Sequence, residues 1–342
     1  MLTLRHDFRS TSVNKSFSLR CSVAIVSFIV AAPAFAFAQT TYHAFLWSSA
    51  SGMQDLGSLG SDSYAQGINS GGQVVGYYVN LEGELRPFLW TQTGGMQDIG
   101  TLGGTAGVAS AINDSGQIVG WATTASGLAH AFQWSARSGM KDLGTLGGNS
   151  SSATGINQAG QVTGTSTKPG NKVNHGFLWS GKTGMTDLGA RVGYNSYAFG
   201  INDSAQVVGE SVPSAATPYY AFLRTRQDII DLGTLLGADN SVAAGINNSG
   251  IVVGNSGDLA FMWTRAGGMQ DLGPPETEFS AAIAVNNLGV IVGNYEATSP
   301  TVHAVIWTAP NQIQDLGVLG GIYSTATAVN DSGQVVGYSS VQ

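Results

Sequence analysis

From about residue 40 onward the chain is written in short apolar runs broken by glycine, asparagine, aspartate and serine. One stretch reads "SAIN", "QIVG", "AFQW" and "GMKDLG" in order, each rich in β-branched, aromatic or small residues. Runs of that length and composition predict strands, and the pattern contains no helical period. The first two flank Asn113-Asp114-Ser115-Gly116. There the asparagine can accept bonds from following backbone amides, and the glycine can take the left-handed conformation that closes a bulged hairpin.

The same order recurs. The Asp of an Asp-Leu-Gly element, or its near match, stands at 55, 98, 142, 187, 231, 271 and 315. The Asn of "IN" stands at 69, 113, 157, 202, 247, 286 and 330, and the glycine ending "VVG" at 76, 120, 164, 209, 254, 293 and 337. Each series has seven members spaced 39 to 45 residues apart. That period, without helices, predicts an all-β, seven-bladed propeller of four-stranded antiparallel blades. Six repeats keep the turn glycine. The fourth has Ala205, where positive φ costs about 1 kcal/mol.

Strands nearest a propeller axis are crowded, so the small-residue runs "ASAIN" and "AAGIN" are expected innermost and "GMQDLG" outermost. The chain then begins with an outer pair (42–57) and ends with an inner pair (325–339). One blade stitched from both termini closes the ring without an unpaired edge. An open array with further repeats is the alternative.

"HAFLW", "GMQDLG" and "GINDSGQVVG" in tandem resemble the HAF-type extracellular repeat family of bacteria, over residues 42–339. The layout is more distantly similar to kelch-type propellers. The resemblance implies an exported repeat protein and no particular chemistry.

The N-terminus agrees. Arg5, Arg9, Lys15 and Arg20 precede the apolar run "CSVAIVSFIVAAPAFAFA", which ends on Ala36-Phe37-Ala38. This reads as a signal peptide (1–38) cleaved after Ala38, ahead of a single domain over 39–342. The alternative, one membrane-spanning anchor, is disfavoured by the run's length and by Pro33. Cleavage removes four basic residues and Asp7, leaving 10 Lys/Arg against 20 Asp/Glu, a net charge of −10. Such a chain is not expected to bind nucleic acid or, once cleaved, a membrane. The one cysteine, Cys21, leaves with the signal. The mature protein is expected to be secreted or periplasmic, monomeric and free of disulfides.

The repeated polar residues read as scaffold. Seven aspartates spread over seven blades cannot pair at one catalytic centre, and their expected partners are nearby backbone amides. His43, His130, His175 and His303 share one repeat position, filled elsewhere by Arg86, Tyr220 and Leu259. Four blades cannot converge on one zinc. The tryptophans at 47, 90, 134, 179, 263 and 307, with Arg224 as the exception, read as packing between blades. "LGTLGG" lacks the lysine and helix of a phosphate loop, and "NDSG" lacks the ligand spacing of a calcium loop. No cofactor, no metal and no catalytic residue is assigned.

Function is therefore sought where the repeats disagree. Ten acids lie outside the repeated positions: Asp62, Glu82, Glu84, Glu210, Asp228, Asp239, Asp258, Glu276, Glu278 and Glu296. They scatter without evident pairing. The connector between the second and third strands runs from "NSGDL" (255–259) to "ESVPSAATPYY" (210–220), and it shares one face with the blade-to-blade crossovers. Aromatic residues collect there, including Tyr64, Tyr78 and Tyr323. Tyr77, Trp121, Tyr197, Glu210, Tyr220, Tyr295 and Tyr338 are the candidate ligand contacts, suited to carbohydrate or protein by stacking and hydrogen bonding. A non-enzymatic binding scaffold is expected. A propeller glycoside hydrolase or lyase and a structural envelope or matrix protein are the alternatives.

Overall fold

The computed structural model describes residues 40–190, 195–212, 218–273, 279–298 and 301–341. The expected signal segment, 1–38, lies outside them, as do Glu276 and Glu278. The described residues form seven four-stranded sheets, each wholly antiparallel, and contain no helix. Blades 1 to 6 span 63–98, 103–142, 151–189, 195–231, 241–271 and 280–315. The seventh is composite: Thr41–Ser48 pairs with Val335–Val341, which pairs with Ser324–Val329, while Gly52–Asp55 forms its outer edge. Each inner strand touches the inner strands of both neighbouring blades, so the wheel closes. The outer strands are half-exposed.

Two repeated residues owe their identity to geometry. The hairpin position takes φ between 58° and 84° in all seven blades, including 58° at Ala205, so glycine is favoured there for its backbone freedom. The glycine ending "VVG" has an ordinary φ but no room. The inner strand opposite it is bulged, and a Cβ on Gly76 or Gly164 would fall onto the carbonyl of Tyr64 or Ser152, far inside van der Waals contact.

The asparagine of "IN" does more than shape its own turn. Its Oδ1 accepts from the amide four residues on, for example Gln117 to Asn113 at 3.0 Å. Its Nδ2 crosses to the next blade. Asn69 donates to the carbonyl of Asn113, which donates to Asn157, and so on through 202, 247, 286 and 330. Asn330 donates back to Asn69, 261 residues away in the chain. All seven bonds measure 2.9–3.2 Å and all seven asparagines are buried. This hoop is why the turn repeats so faithfully: an amide side chain is short enough to stay in the turn and bears both donor and acceptor.

A second lock sits at the other end of the blades. Ser63, Ser151, Ser196, Ser241 and Ser324 each accept from a third-strand amide of the preceding blade and donate to the carbonyl of its Asp-Leu-Gly glycine. The apolar cores lie between blades. Trp307, 1% exposed, packs with Leu272 of the previous blade and donates from Nε1 to the Gly273 carbonyl at 3.3 Å. The tryptophan position is thus an inter-blade wedge, as expected.

Candidate functional site

The hairpins emerge on one face of the wheel; the crossovers and the second-to-third-strand connectors emerge together on the other, the loop face. Backbone bonds tie these two kinds of loop, for example Ser61 to Val79 and Ser241 to Tyr219. Around the loop face runs a ring of aspartates. In all seven blades the Asp carboxylate accepts from the amide of its own Asp-Leu-Gly glycine at 2.6–2.9 Å, the backbone role expected for it. In five blades it also takes a cationic or imidazole partner from the third strand. His43, His130, His175 and His303 place Nδ1 2.7–3.0 Å from Asp55, Asp142, Asp187 and Asp315, and Arg86 forks onto Asp98. The histidines are thus latches from the third strand to the outer strand of one blade. Sequence reading missed this pairing, although the constant 12-residue spacing of His to Asp was its visible signal.

Two of these carboxylates stand out. Burial works to raise Asp98, but hydrogen bonds from Arg86, the Gly100 amide and Tyr78 outweigh it and hold the group below its ordinary value. Asp187 is held low in the same way, against burial, by Lys168, Gly189 and His175. The Tyr78 hydroxyl donates to Asp98 at 2.8 Å and is pushed up to about 12, by burial first and then by that bond. Tyr78 is 7% exposed and belongs to the blade interior, not to the exposed rim where the sequence put it.

The residue following each "VVG" glycine forms an inner ring near the loop face: Tyr77, Trp121, Thr165, Glu210, Asn255, Asn294 and Tyr338. Their inner-strand partners are Tyr64, Val108, Ser152, Tyr197, Val242, Ala281 and Thr325. Five of the seven candidate contacts therefore fall on one ring or its partner positions. Tyr64 and Tyr197 lie within inner strands rather than in crossovers. Tyr220 replaces the histidine of blade 4, and Tyr295 sits one residue beyond the ring, packed against the core near Asp315.

The structure brings two pairs of candidates together: Tyr197 lies across from Glu210 in blade 4, and Tyr77 and Tyr338 meet through Tyr64. Tyr64 stacks on Tyr77 at 4.8 Å and meets Tyr338 of the stitched blade edge-on at 5.0 Å; Tyr42 completes the cluster at 6.0 Å from Tyr64. Burial pushes the Tyr42, Tyr64 and Tyr338 hydroxyls up. Trp121, the Tyr197–Glu210 pair, Tyr220 and Tyr295 belong to other blades. Trp121 Nε1, Asn255 Oδ1 and Asn294 Oδ1 are buried without a protein partner, all on the inner ring. Among the described residues no cluster of three metal-binding side chains occurs.

Large exposed apolar side chains are distributed unevenly. Among the described residues Leu59, Leu236 and Ile322 project from crossovers and Leu81 and Leu128 from second-to-third-strand connectors, while Leu288 alone stands on the hairpin face. Leu81 is 89% exposed and is followed by Glu82 and Glu84.

The fold defines the protein as a closed seven-bladed β-propeller built from a sequence repeat. Neither a family model nor a curated protein matches the chain. Solved structures do. It is similar to the β-propeller domain of the Trilobed protease from Pyrococcus furiosus (TM-score 0.53, 9% identity, covering 73% of this chain and 82% of that one). It is also similar to a putative TolB from Agrobacterium tumefaciens (TM-score 0.52, 10% identity, 89% and 99% covered). At such identities the likeness is one of fold. The Pyrococcus domain is described as having an open velcro topology; here the two termini share a blade.

Proposed function

We propose that the chain is an exported repeat protein of the HAF type, matured by cleavage after Ala38, whose wheel is a non-enzymatic scaffold presenting its loop face to a protein or glycan. One observation supports this reading best. The repeated Asn, Asp, Ser, His and Trp are engaged in holding strands and blades together, while among the described residues five of the six large exposed apolar side chains gather on the face of variable loops. Exposed leucines cost solvation in a free protein, and their concentration on one face suits an interface.

Purified residues 39–342 immobilised through the hairpin face are expected to capture a ligand from a glycan array or a pull-down against extracellular material. Leu81→Asp and Leu59→Asp are expected to weaken capture at least about ten-fold, one desolvated leucine amounting to 1.5–3 kcal/mol. Capture unchanged in the double variant, or turnover of a polysaccharide panel without stable binding, refutes the reading.

A further inference from the structure

The hairpin face carries a second hoop outside the asparagines, and this one is broken. In six of the seven blades the side chain of the residue after the asparagine accepts from the equivalent amide of the preceding blade. Asp114 accepts from Ser70, Gln158 from Asp114, Asp203 from Gln158, Asn248 from Asp203, Asn287 from Asn248 and Asp331 from Asn287, at 2.8–3.1 Å. The seventh link would need an acceptor at position 70 to reach Asp331. There the chain has Ser70, followed by Gly71, where other repeats have Asp, Asn or Gln followed by Ser, Ala or Leu. Two side chains are cut back at this one junction, between the stitched blade and blade 1.

A cavity of about 160 Å³ opens at that junction. At about 30 Å³ of liquid volume per water it holds about five waters, the bulk of one small ring and well short of a drug-sized ligand. Its polar wall is Ser70, Gln73, Gln334 and Gln92; Trp90 and Leu46 supply the apolar wall, and no ionisable side chain lines it. Two of the amides are aimed in advance. Gln73 Oε1 accepts from Asn69 and Gln334 Oε1 from Asn330, each at 2.8 Å, so the inner hoop fixes both carbonyl ends and leaves both NH₂ groups as the donors on offer. The Ser70 hydroxyl adds a group that donates and accepts.

We infer that this junction is a binding site for one neutral polyhydroxylated ring, a free sugar or the terminal residue of a glycan. Pinned amide donors match hydroxyl oxygens, the indole edge and leucine match a C–H face, and the absence of charge in the lining disfavours ionic ligands, which would lose hydration with no counter-charge. The site lies on the opposite face from the loops and does not depend on the scaffold reading.

The test uses residues 39–342 and saturation-transfer NMR with methyl glycosides of neutral hexoses and N-acetylhexosamines, alongside a neutral oligosaccharide series. Saturation of at least one neutral sugar is expected, with affinity in the millimolar range. Ser70→Asn, which installs the residue used at 248 and 287 and puts an amide rather than a third carboxylate between Asp331 and Asp114, is expected to fill the site, complete the outer hoop and weaken binding at least about ten-fold, with no loss of thermal stability. Gln92→Ala is expected to weaken binding without touching either hoop. Tighter binding of the oligosaccharides than of the simple glycosides marks a glycan terminus; equal binding marks a free sugar. No saturation from any neutral sugar, or saturation that survives in S70N, overturns the proposal. Leu81→Asp on the loop face is expected to leave the sugar signal unchanged, so the two readings fail separately.

Discussion

The asparagine hoop makes a quantitative claim at its closing link. Asn330 is 6% exposed and holds four bonds: Nδ2 to the Asn69 carbonyl (3.0 Å) and to Gln334 Oε1 (2.8 Å), and Oδ1 from the Ser332 (3.1 Å) and Gln334 (3.0 Å) amides. Asn330→Ala deletes all four. The Asn69 carbonyl keeps a second partner, the Gly72 amide at 3.1 Å, so it is not orphaned; the Gln334 amide is the group most exposed to the loss. At about 1 kcal/mol net per bond, and somewhat less for the retained carbonyl, the cost is about 3 kcal/mol. For a domain of about 300 residues, with an unfolding entropy of about 2.1 cal/mol/K per residue, that corresponds to a melting point lower by roughly 5 °C. Asn330→Asp separates donor from acceptor roles: it keeps both acceptor bonds but turns an oxygen toward the Asn69 carbonyl and Gln334 Oε1, so a comparable loss assigns the stability to the two Nδ2 donations. Circular dichroism melts and denaturant titrations of residues 39–342 are the assay. If N330A loses less than about 1 kcal/mol, the hoop is a consequence of closure and not a cause of its stability.

Three further outcomes follow from particular residues. Ala205 sits at φ 58° where the other repeats have glycine, so Ala205→Gly should stabilise by about 1 kcal/mol in the same titrations; destabilisation would mean the local strain is relieved elsewhere. Arg224 replaces the wedge tryptophan and lies against Leu188, Gly189, Phe222 and Ile229, and Arg224→Trp should gain about 1–3 kcal/mol by replacing the guanidinium and its stem with an indole; no gain would show that this packing does not accept the larger side chain. Asp98 and Asp187 are both held below the ordinary carboxylate value of 3.8. Their ionised forms therefore add stability that is complete above that pH and is lost as pH falls through their lower folded values. Stability measured from pH 5 downward should fall less steeply in Asp98→Asn; an unchanged acid limb would contradict the assigned shift.

Much of the architecture was legible because seven copies make a positional signal visible. The glycines of "VVG" and of the turn, the inner and outer strand order, and the blade shared by both termini all follow from spacing and residue size. The backbone role of the Asp-Leu-Gly carboxylate was legible for the same reason. The candidate contacts were legible only as a list. Tyr77 and Tyr338 lie 261 residues apart in the chain and meet through Tyr64 only because the ends join. Tyr78 has the same composition signal as Tyr77, yet strand alternation turns it inward to Asp98.

What the sequence determined by itself is the local grammar: short strands, a turn that favours glycine at positive φ, and a period that makes one blade at a time. Those are properties of neighbouring residues, readable without knowing what lies across the gap. Only the tertiary structure decided what the side chains grasp. A hydrogen bond from Asn330 to Asn69 or a cavity left by Ser70 and Gly71 exists only once closure brings distant backbone into a distance of about 3 Å, and a His–Asp latch only once its own hairpin has paired. Side-chain chemistry acts over that distance and not over the sequence.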